Sequence, residues 1–320
     1  MKRIIAIMLT FILAFSLAAC GSGASNEDNE GKKPVVYTIG DMTGGAAWGP
    51  YEEGFMKACE ELGFEGYYLA PVGGNYVAEM INLTETAITN GCDGLIPQIV
   101  DEEAMADLIQ RGLDEGITMV ALYMECEQLD TTIGTDSEKL GIAMAETLVE
   151  CMGDRPIYCA SIQSQMTYYI QEVQVDAFEK RLHELRPDAV VVRKDECLSN
   201  AQIAMDKLAA ICTAYPETNC SVSFDSYAGI GAATYVESEG LQDEFCVIGI
   251  DDSEDILLCV KNNTMKATVA QNWYDMGYDS VYLLAEKMAG NDVSGFHDSG
   301  TTPVFQDTVD DYASSKGYEW

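Results

Sequence analysis

Basic residues are scarce in this chain. Lys and Arg together number 18 against 53 Asp and Glu, a net charge of −35 at neutral pH. A surface this acidic repels phosphate backbones and anionic headgroups, which excludes nucleic acid as a partner. Histidine is nearly absent. His183 and His297 are the only two and lie far apart in sequence, so a multi-histidine metal centre is excluded and a Ser-His-Asp apparatus is disfavoured. None of the eleven cysteines forms a C-x-x-C, which removes zinc ribbons and thioredoxin-like motifs. No G-x-x-x-x-G-K-[ST] and no G-x-S-x-G occurs. The loop after the first apolar run, Gly40-Asp41-Met42-Thr43-Gly44-Gly45, is not a G-x-G-x-x-G. The next run ends in Ala70-Pro71, without the acidic residue that would hold a ribose. No cofactor and no metal are expected. No apolar run approaches the roughly 20 residues that a spanning helix needs.

What is present is an ordinary globular composition, 48% hydrophobic and 22% charged, in 320 residues, a length that suits two domains. The first residues are a separate object. Lys2 and Arg3 precede residues 4–17, where only Thr10 and Ser16 are polar. That is the pattern of a signal peptide. It ends in Leu17-Ala18-Ala19-Cys20, which resembles the lipobox of bacterial lipoproteins. The resemblance implies a signal peptide over 1–19, cleavage before Cys20 and diacylation of its thiol, which would anchor the chain to a lipid bilayer. Ordinary secretion with an incidental cysteine is the alternative. Residues 20–33, rich in Gly, Ser, Asn and Glu, read as a flexible tether.

Ten further cysteines remain, at 59, 92, 126, 151, 159, 197, 212, 220, 246 and 259. Many fall at apolar positions: Cys59 with Phe55 and Leu62 on one helix face, Cys159 and Cys246 in strands, Cys212 and Cys259 in helices. Free cysteine packs as a small hydrophobe. Oxidising compartments pair thiols, so mostly free thiols in an exported chain point to a cell that lives without oxygen. One or two disulfides are the alternative.

From Pro34 onward, short apolar runs alternate with helical periodicity. Strands are expected at 35–39, 67–70, 94–98, 118–122, 156–161, 189–193, 220–224, 246–250, 267–270 and 302–306. Helices are expected at 49–62, 76–90, 104–115, 138–151, 169–185, 199–214, 229–239, 254–262 and 273–289. This alternation predicts α/β architecture with doubly wound parallel sheets, and too many units for one sheet. Ligands of such sheets bind beyond the carboxyl ends of the strands.

Several stretches in order resemble the class I periplasmic binding proteins, the ribose-binding-protein-like receptors of ABC transporters. They are Trp48 with Glu52-Glu53-Gly54-Phe55, then Gly91-Cys92-Asp93-Gly94-Leu95-Ile96, Asp114-Glu115-Gly116-Ile117, and Ile133-Gly134-Thr135-Asp136. Val247-Ile248-Gly249-Ile250-Asp251 and Ala267-Thr268-Val269-Ala270-Gln271 follow, the last with Met276-Gly277-Tyr278 behind it. The resemblance runs over about 34–312. It implies two lobes, 34–134 plus 272–300 and 135–271 plus 301–320, joined by three crossovers near 134–136, 271–272 and 299–302. It implies a small ligand held between the lobes, a monomer, and delivery to an ABC transporter permease at the extracytoplasmic face.

Carried over residue by residue, the resemblance makes Trp48 an aromatic that covers a sugar face. Gln98, Asp225, Asp251 and Gln271 become the amide and carboxylate groups that pair with hydroxyls. Three positions depart from the family. The aromatic usual between the strand at 189–193 and the next helix falls at Glu196 or Cys197. Tyr123-Met124 stands where Asp-Arg is typical, and Gln174 stands where an arginine is expected. Without those guanidinium clamps, phosphorylated or carboxylate ligands are disfavoured. A neutral sugar or polyol comes first; an amino sugar or other cationic small molecule is the alternative. Whether Arg193 and Lys194 reach the cleft is open. Asp225 and Asp251 also follow strands and precede helices, so helix capping is a second reading for both. Trp48 could be loop packing, Gln271 a hinge residue, and Tyr168 and Tyr169 helix-start packing.

Among rival functions, a sensory subunit for a membrane kinase or chemoreceptor fits the same residues. A DNA-binding repressor would need a helix-turn-helix where the export signal stands. A glycoside hydrolase would need a carboxylate pair at a recognisable motif, and no pair stands out. An enzyme is therefore not expected. The anchor is directly testable: mass spectrometry of the mature chain should find diacylated Cys20 at its amino terminus, and Cys20→Ala should release the protein or leave it unprocessed. An unmodified Cys20 on the mature chain refutes the anchor.

Overall fold

The computed structural model describes residues 32–45, 47–72, 76–318 and 320. The signal peptide, Cys20 and all of the tether but Lys32 and Lys33 lie outside the described residues. The elements alternate as the periodicity predicts. β1 (Val35–Ile39), α1 (Trp48–Leu62), β2 (Glu65–Leu69), α2 (Tyr76–Thr89), β3 (Gly94–Pro97), α3 (Glu102–Asp114), β4 (Thr118–Met119), β5 (Ala121–Leu122) and β6 (Thr131–Gly134) come first. α4 (Ser137–Met152), β7 (Tyr158–Gln163), α5 (Tyr169–Leu185), β8 (Val190–Glu196), α6 (Ala201–Ala214), β9 (Cys220–Ser223), α7 (Ser226–Glu239), β10 (Cys246–Ile250), α8 (Glu254–Lys261) and β11 (Ala267–Ala270) follow. The chain ends with α9 (Trp273–Met288), β12 (Gly295–Asp298), β13 (Thr302–Phe305) and α10 (Val309–Ser315).

The strands form a four-stranded sheet in the order β2-β1-β3-β4, a three-stranded sheet β12-β6-β5 and a six-stranded sheet β13-β11-β10-β9-β7-β8. The central strands are buried on both faces, as helices on either side of a parallel sheet require. Helix starts are set by local chemistry. Asp101, Asp136, Asn200, Asp225 and Ser253 each accept a hydrogen bond from the backbone N–H three residues on.

Several expected bounds shift, and four features differ in kind. The run expected as one strand at 118–122 breaks at Val120, so that β4 pairs with β3 and β5 with β6. β6, rich in threonine, and β12, an edge strand that is mostly exposed, show no apolar run and escape the periodicity. β13 runs antiparallel to β11 at the sheet edge, where Pro303 costs no ladder bond. α10 buries only Val309 and Ala313, too little for a periodic signal. All ten described cysteines are unpaired. Cys151, Cys212 and Cys259 are half-buried, the other seven buried.

The chain passes between the two groups of sheets three times, and the passages lie side by side. Thr135 and Ser299 share a hydrogen bond of 3.2 Å, and Ser299 Oγ also donates to the Gln271 carbonyl at 3.2 Å. Asn272 Nδ2 donates to the Ser299 carbonyl at 2.9 Å, and the Asp136 N–H to Asp298 at 3.1 Å.

Helices α1 and α9 touch through their backbones at two facing glycines. A Cβ on Gly54 would lie 2.1 Å from the Tyr274 carbonyl oxygen, and one on Gly277 would lie 2.1 Å from that of Tyr51. Gly141 of α4 and Gly231 of α7 stand equally close to Gln174 and Ala201. Gly277→Ala should therefore force α1 and α9 apart and cost roughly 1–3 kcal/mol. Gly49→Ala, whose Cβ would meet nothing closer than 3.7 Å, should be neutral or stabilising. Urea unfolding of both variants checks this; equal midpoints would overturn the steric account.

Candidate functional site

The carboxyl ends of the parallel strands of both sheet groups face one cavity of about 150 Å³. β1 leads to Asp41, β3 to Gln98, β5 to Tyr123, β7 to Ser164, β9 to Asp225, β10 to Asp251 and β11 to Gln271. Trp48 and Trp273 enter from the first turns of α1 and α9, and Gln174 from α5. All seven residues singled out in the sequence, Trp48, Gln98, Tyr123, Gln174, Asp225, Asp251 and Gln271, line this cavity.

Asp251 is the best-connected of them. It is 4% exposed, and its backbone holds a left-handed φ of +71°. Its Oδ1 accepts from Gln271 Nε2 and from Trp273 Nε1, both at 2.7 Å, and its other oxygen accepts from Ser226. Burial pushes its carboxyl pKa up, against the downward pull of these three donors. Asp251 does not cap α8; Ser253 does, because the left-handed turn at Asp251 delays the helix. Asp225 caps α7 through the Ala228 N–H at 3.0 Å and also accepts from Ser199 at 2.8 Å, so the capping reading holds for it.

Tyr123, also left-handed at φ +72°, donates its hydroxyl to Gln271 Oε1 at 3.1 Å. Burial, then the charges of Asp251 and Asp41, push its pKa well above the usual phenol value. Three aromatic rings pack into one wall. Trp48 and Trp273 stand 5.1 Å apart, Tyr123 and Trp273 5.4 Å, and Trp48 and Tyr123 6.4 Å. Gly40 leaves room for that wall, since a Cβ there would lie 2.6 Å from the Trp48 ring. Gln174 is 3% exposed, and its Oε1 finds no hydrogen-bond partner among the described residues. Gln171 holds the opposite wall, accepting from Ser164 N–H at 2.9 Å and donating to the Phe224 carbonyl at 2.7 Å.

Among the described residues, the lining contains three carboxylates, Asp41, Asp225 and Asp251, and no Lys, Arg or His. Arg193 and Lys194 turn away, to Asp195 and Glu179. Glu196 and Cys197 stay behind the wall, against the Met166 N–H and Asp225. Tyr168 lines the cavity, whereas Tyr169 is exposed. Sequence reasoning missed Trp273. Its signal was available: a tryptophan two residues after the crossover glutamine, opening a helix on the far side.

The architecture is the periplasmic binding protein type I fold. Residues 36–292 match the family described as periplasmic binding protein domain, and the chain belongs to that family. It is 21% identical over 281 residues to the ribose import binding protein RbsB of Bacillus subtilis, covering 85% of this chain and 88% of that protein. Among solved structures it resembles GanP, a glucose-galactose binding protein from Geobacillus stearothermophilus. The TM-score is 0.78 with 24% identity, over 86% of this chain and 98% of that one. It also resembles an ABC transporter periplasmic solute binding protein from Actinobacillus succinogenes with bound D-allose. There the TM-score is 0.82 with 18% identity, over 88% of this chain and 100% of that one.

The buried carboxylate gives a pH prediction. A carboxyl whose folded pKa is raised binds its proton more tightly in the folded state than in the unfolded. The native state therefore loses stability as pH rises from the unfolded value of about 3.9 through the folded value. Asp251→Asn removes that loss, so the stability of the variant relative to wild type should grow as pH rises from about 4 toward neutrality. Urea unfolding at several pH values checks it; a difference that is flat or shrinks overturns it.

Proposed function

We propose that the chain is an extracytoplasmic solute receptor. It is anchored through acylated Cys20, takes a neutral sugar or polyol into the cavity, and passes it to an ABC transporter permease with no chemistry of its own. The lobes would be 34–134 plus 272–300 and 135–271 plus 301–320, closing about the three adjacent passages. A monomer suffices for this task. The observation that carries the reading is the make-up of the cavity: amide and carboxylate groups from the ends of five strands and hydroxyls from two more, an indole wall, and the Gln174 oxygen, which has no hydrogen-bond partner among the described residues. Amides and carboxylates pair with hydroxyls, and ring faces cover C–H surfaces. The sugars in the relatives' names support the same class.

One observation favours a second reading, an amino sugar or other cationic solute. Three carboxylates line the cavity, whose described lining holds no Lys, Arg or His, beside aromatic faces that attract cations. A sensory role for the same receptor would leave the cavity chemistry unchanged.

A thermal-shift and calorimetry panel of neutral sugars, polyols and amino sugars tests the proposal. A ligand at 100 Kd should add about 2.7 kcal/mol of stability. Asp251→Asn should weaken a neutral sugar by about tenfold to a hundredfold. For a cation the loss should be larger and should shrink as salt rises. Trp48→Ala binding every panel member as wild type does, or no member shifting the melting temperature, would overturn the cavity as the site.

A further inference from the structure

Outside the cavity, α10 packs against α8 and is tied to residues at both ends of that helix. At the far end, Lys261 Nζ and Trp320 Nε1 each donate to Asp310 Oδ1 at 2.9 Å, and Lys261 stands 4.8 Å over the Trp320 ring. At the near end, Tyr312 donates its hydroxyl to Asp252 Oδ2 at 2.7 Å. Lys316, one turn further on, sets its Nζ 3.9 Å from the same oxygen and 5.5 Å from the Tyr312 ring. The two ends differ in kind. The Lys261–Asp310 pair is exposed, and such pairs contribute little. Asp252 is 5% exposed, and a carboxylate this buried is costly without partners. Tyr312 and Lys316 supply them.

We infer that Tyr312 is a positioning residue for the cavity: with Lys316 it anchors Asp252, and through Asp252 it holds the left-handed turn that aims the Asp251 carboxylate at Gln271 and Trp273. Tyr312 is not among the residues that line the cavity, so it acts through its neighbours alone. The consequence for binding rests on the proposed reading of the cavity as a solute site; the anchoring of the turn does not.

The role follows from the backbone. Asp251 has a φ of +71°, which a non-glycine residue keeps only where its surroundings over-determine it. The peptide that leaves Asp251 is fixed from two sides. The Asp251 carbonyl accepts from Thr268 Oγ1 at 2.7 Å, and the next side chain, Asp252, is held by α10. Loss of the Tyr312 hydroxyl leaves Asp252 buried beside Lys316 alone, at a distance too long for a direct hydrogen bond. The turn then loses one of its two restraints, and the Asp251 oxygen that accepts from Trp273 Nε1 loses its fixed place. α10 is thus a strap whose buried end serves the cavity and whose exposed end does not.

The three tryptophans, Trp48, Trp273 and Trp320, make the test spectroscopic. Each gives one indole N–H signal in a proton–nitrogen correlation spectrum of the full chain, and Trp273→Phe assigns the signal that reports the bond to Asp251. Tyr312→Phe should shift the Trp273 signal and speed its exchange with deuterium at least about threefold. Asp310→Asn, which loosens the exposed end of the same helix, should move the Trp320 signal and leave that of Trp273 in place. Lys316→Met should move the Trp273 signal in the same sense as Tyr312→Phe, and it carries the test should Tyr312→Phe fail to fold. In the panel of sugars, polyols and amino sugars, any member that binds the wild type should bind Tyr312→Phe at least about threefold more weakly and Asp310→Asn equally well. A Trp273 signal unmoved in both Tyr312→Phe and Lys316→Met overturns the positioning role. A shift of equal size in Asp310→Asn also overturns it, since α10 then acts by packing alone. If no panel member binds the wild type, the solute reading fails, and the indole signals still decide the role of Tyr312.

Discussion

The carboxylate of Asp251 is the interaction on which the cleft depends. A buried charge is costly unless donors surround it, and removing one donor exposes that cost. Here the donors come from three different elements: Ser226 opens α7, Gln271 ends β11, and Trp273 opens α9 in the other sheet group. One side chain thus fixes the ends of β10, β11 and two helices relative to one another. The fixed groups carry others. Trp273 packs on Trp48 and Tyr123, and Tyr123 bonds Gln271 in turn. Left-handed backbone at Tyr123, Asp251 and Asn272 turns each strand end into the cavity. Non-glycine residues hold that conformation only where surrounding contacts over-determine it.

Much of this was legible in the sequence, because the physics of parallel sheets is local and repetitive. A buried parallel strand reads as an apolar run, its helix as a 3.6-residue period, and its functional residue as the next polar one. That logic marks the positions directly after each strand for inspection, Asp225, Asp251 and Gln271 among them. It fails where a strand is stabilised by its neighbours rather than its own composition. Thr131–Gly134 and Gly295–Asp298 pair with each other and are nearly silent in hydropathy. It misses Trp273 too, because that residue does not follow its strand directly but opens the helix two positions beyond Gln271. The resemblance to a known family assigned the site role to Trp48, Gln98, Asp225, Asp251 and Gln271 and drew attention to Tyr123 and Gln174, and all seven line the cavity.

The helix pairs show a second constraint at work. α1 with α9, α4 with α5, and α6 with α7 each approach until backbone meets glycine. Two of these contacts lie directly behind the cleft: Gly54 and Gly277 hold the helices that open with Trp48 and Trp273, and Gly141 abuts the carbonyl of Gln174. A side chain at any of them would displace a cavity residue as well as a helix. Packing behind the site therefore helps fix where the lining residues stand.

Charge ties the cavity to the whole molecule. The few cations are used at the periphery, where Arg111 meets Glu85, Arg181 meets Glu146 and Arg186 meets Asp188. Exposed pairs of this kind contribute little to stability, but their location leaves the cleft, among the described residues, without a positive group. Long-range repulsion from a chain with a net charge of −35 and short-range repulsion from three lining carboxylates then act in the same sense. An anionic solute meets an unfavourable field on approach and finds no guanidinium on arrival. A neutral polyol, on the proposed reading, is indifferent to the first and is served by the carboxylates in the second. On the proposed reading, the scarcity of basic residues is itself a selectivity device, excluding phosphorylated and acidic solutes without a single side chain dedicated to rejecting them.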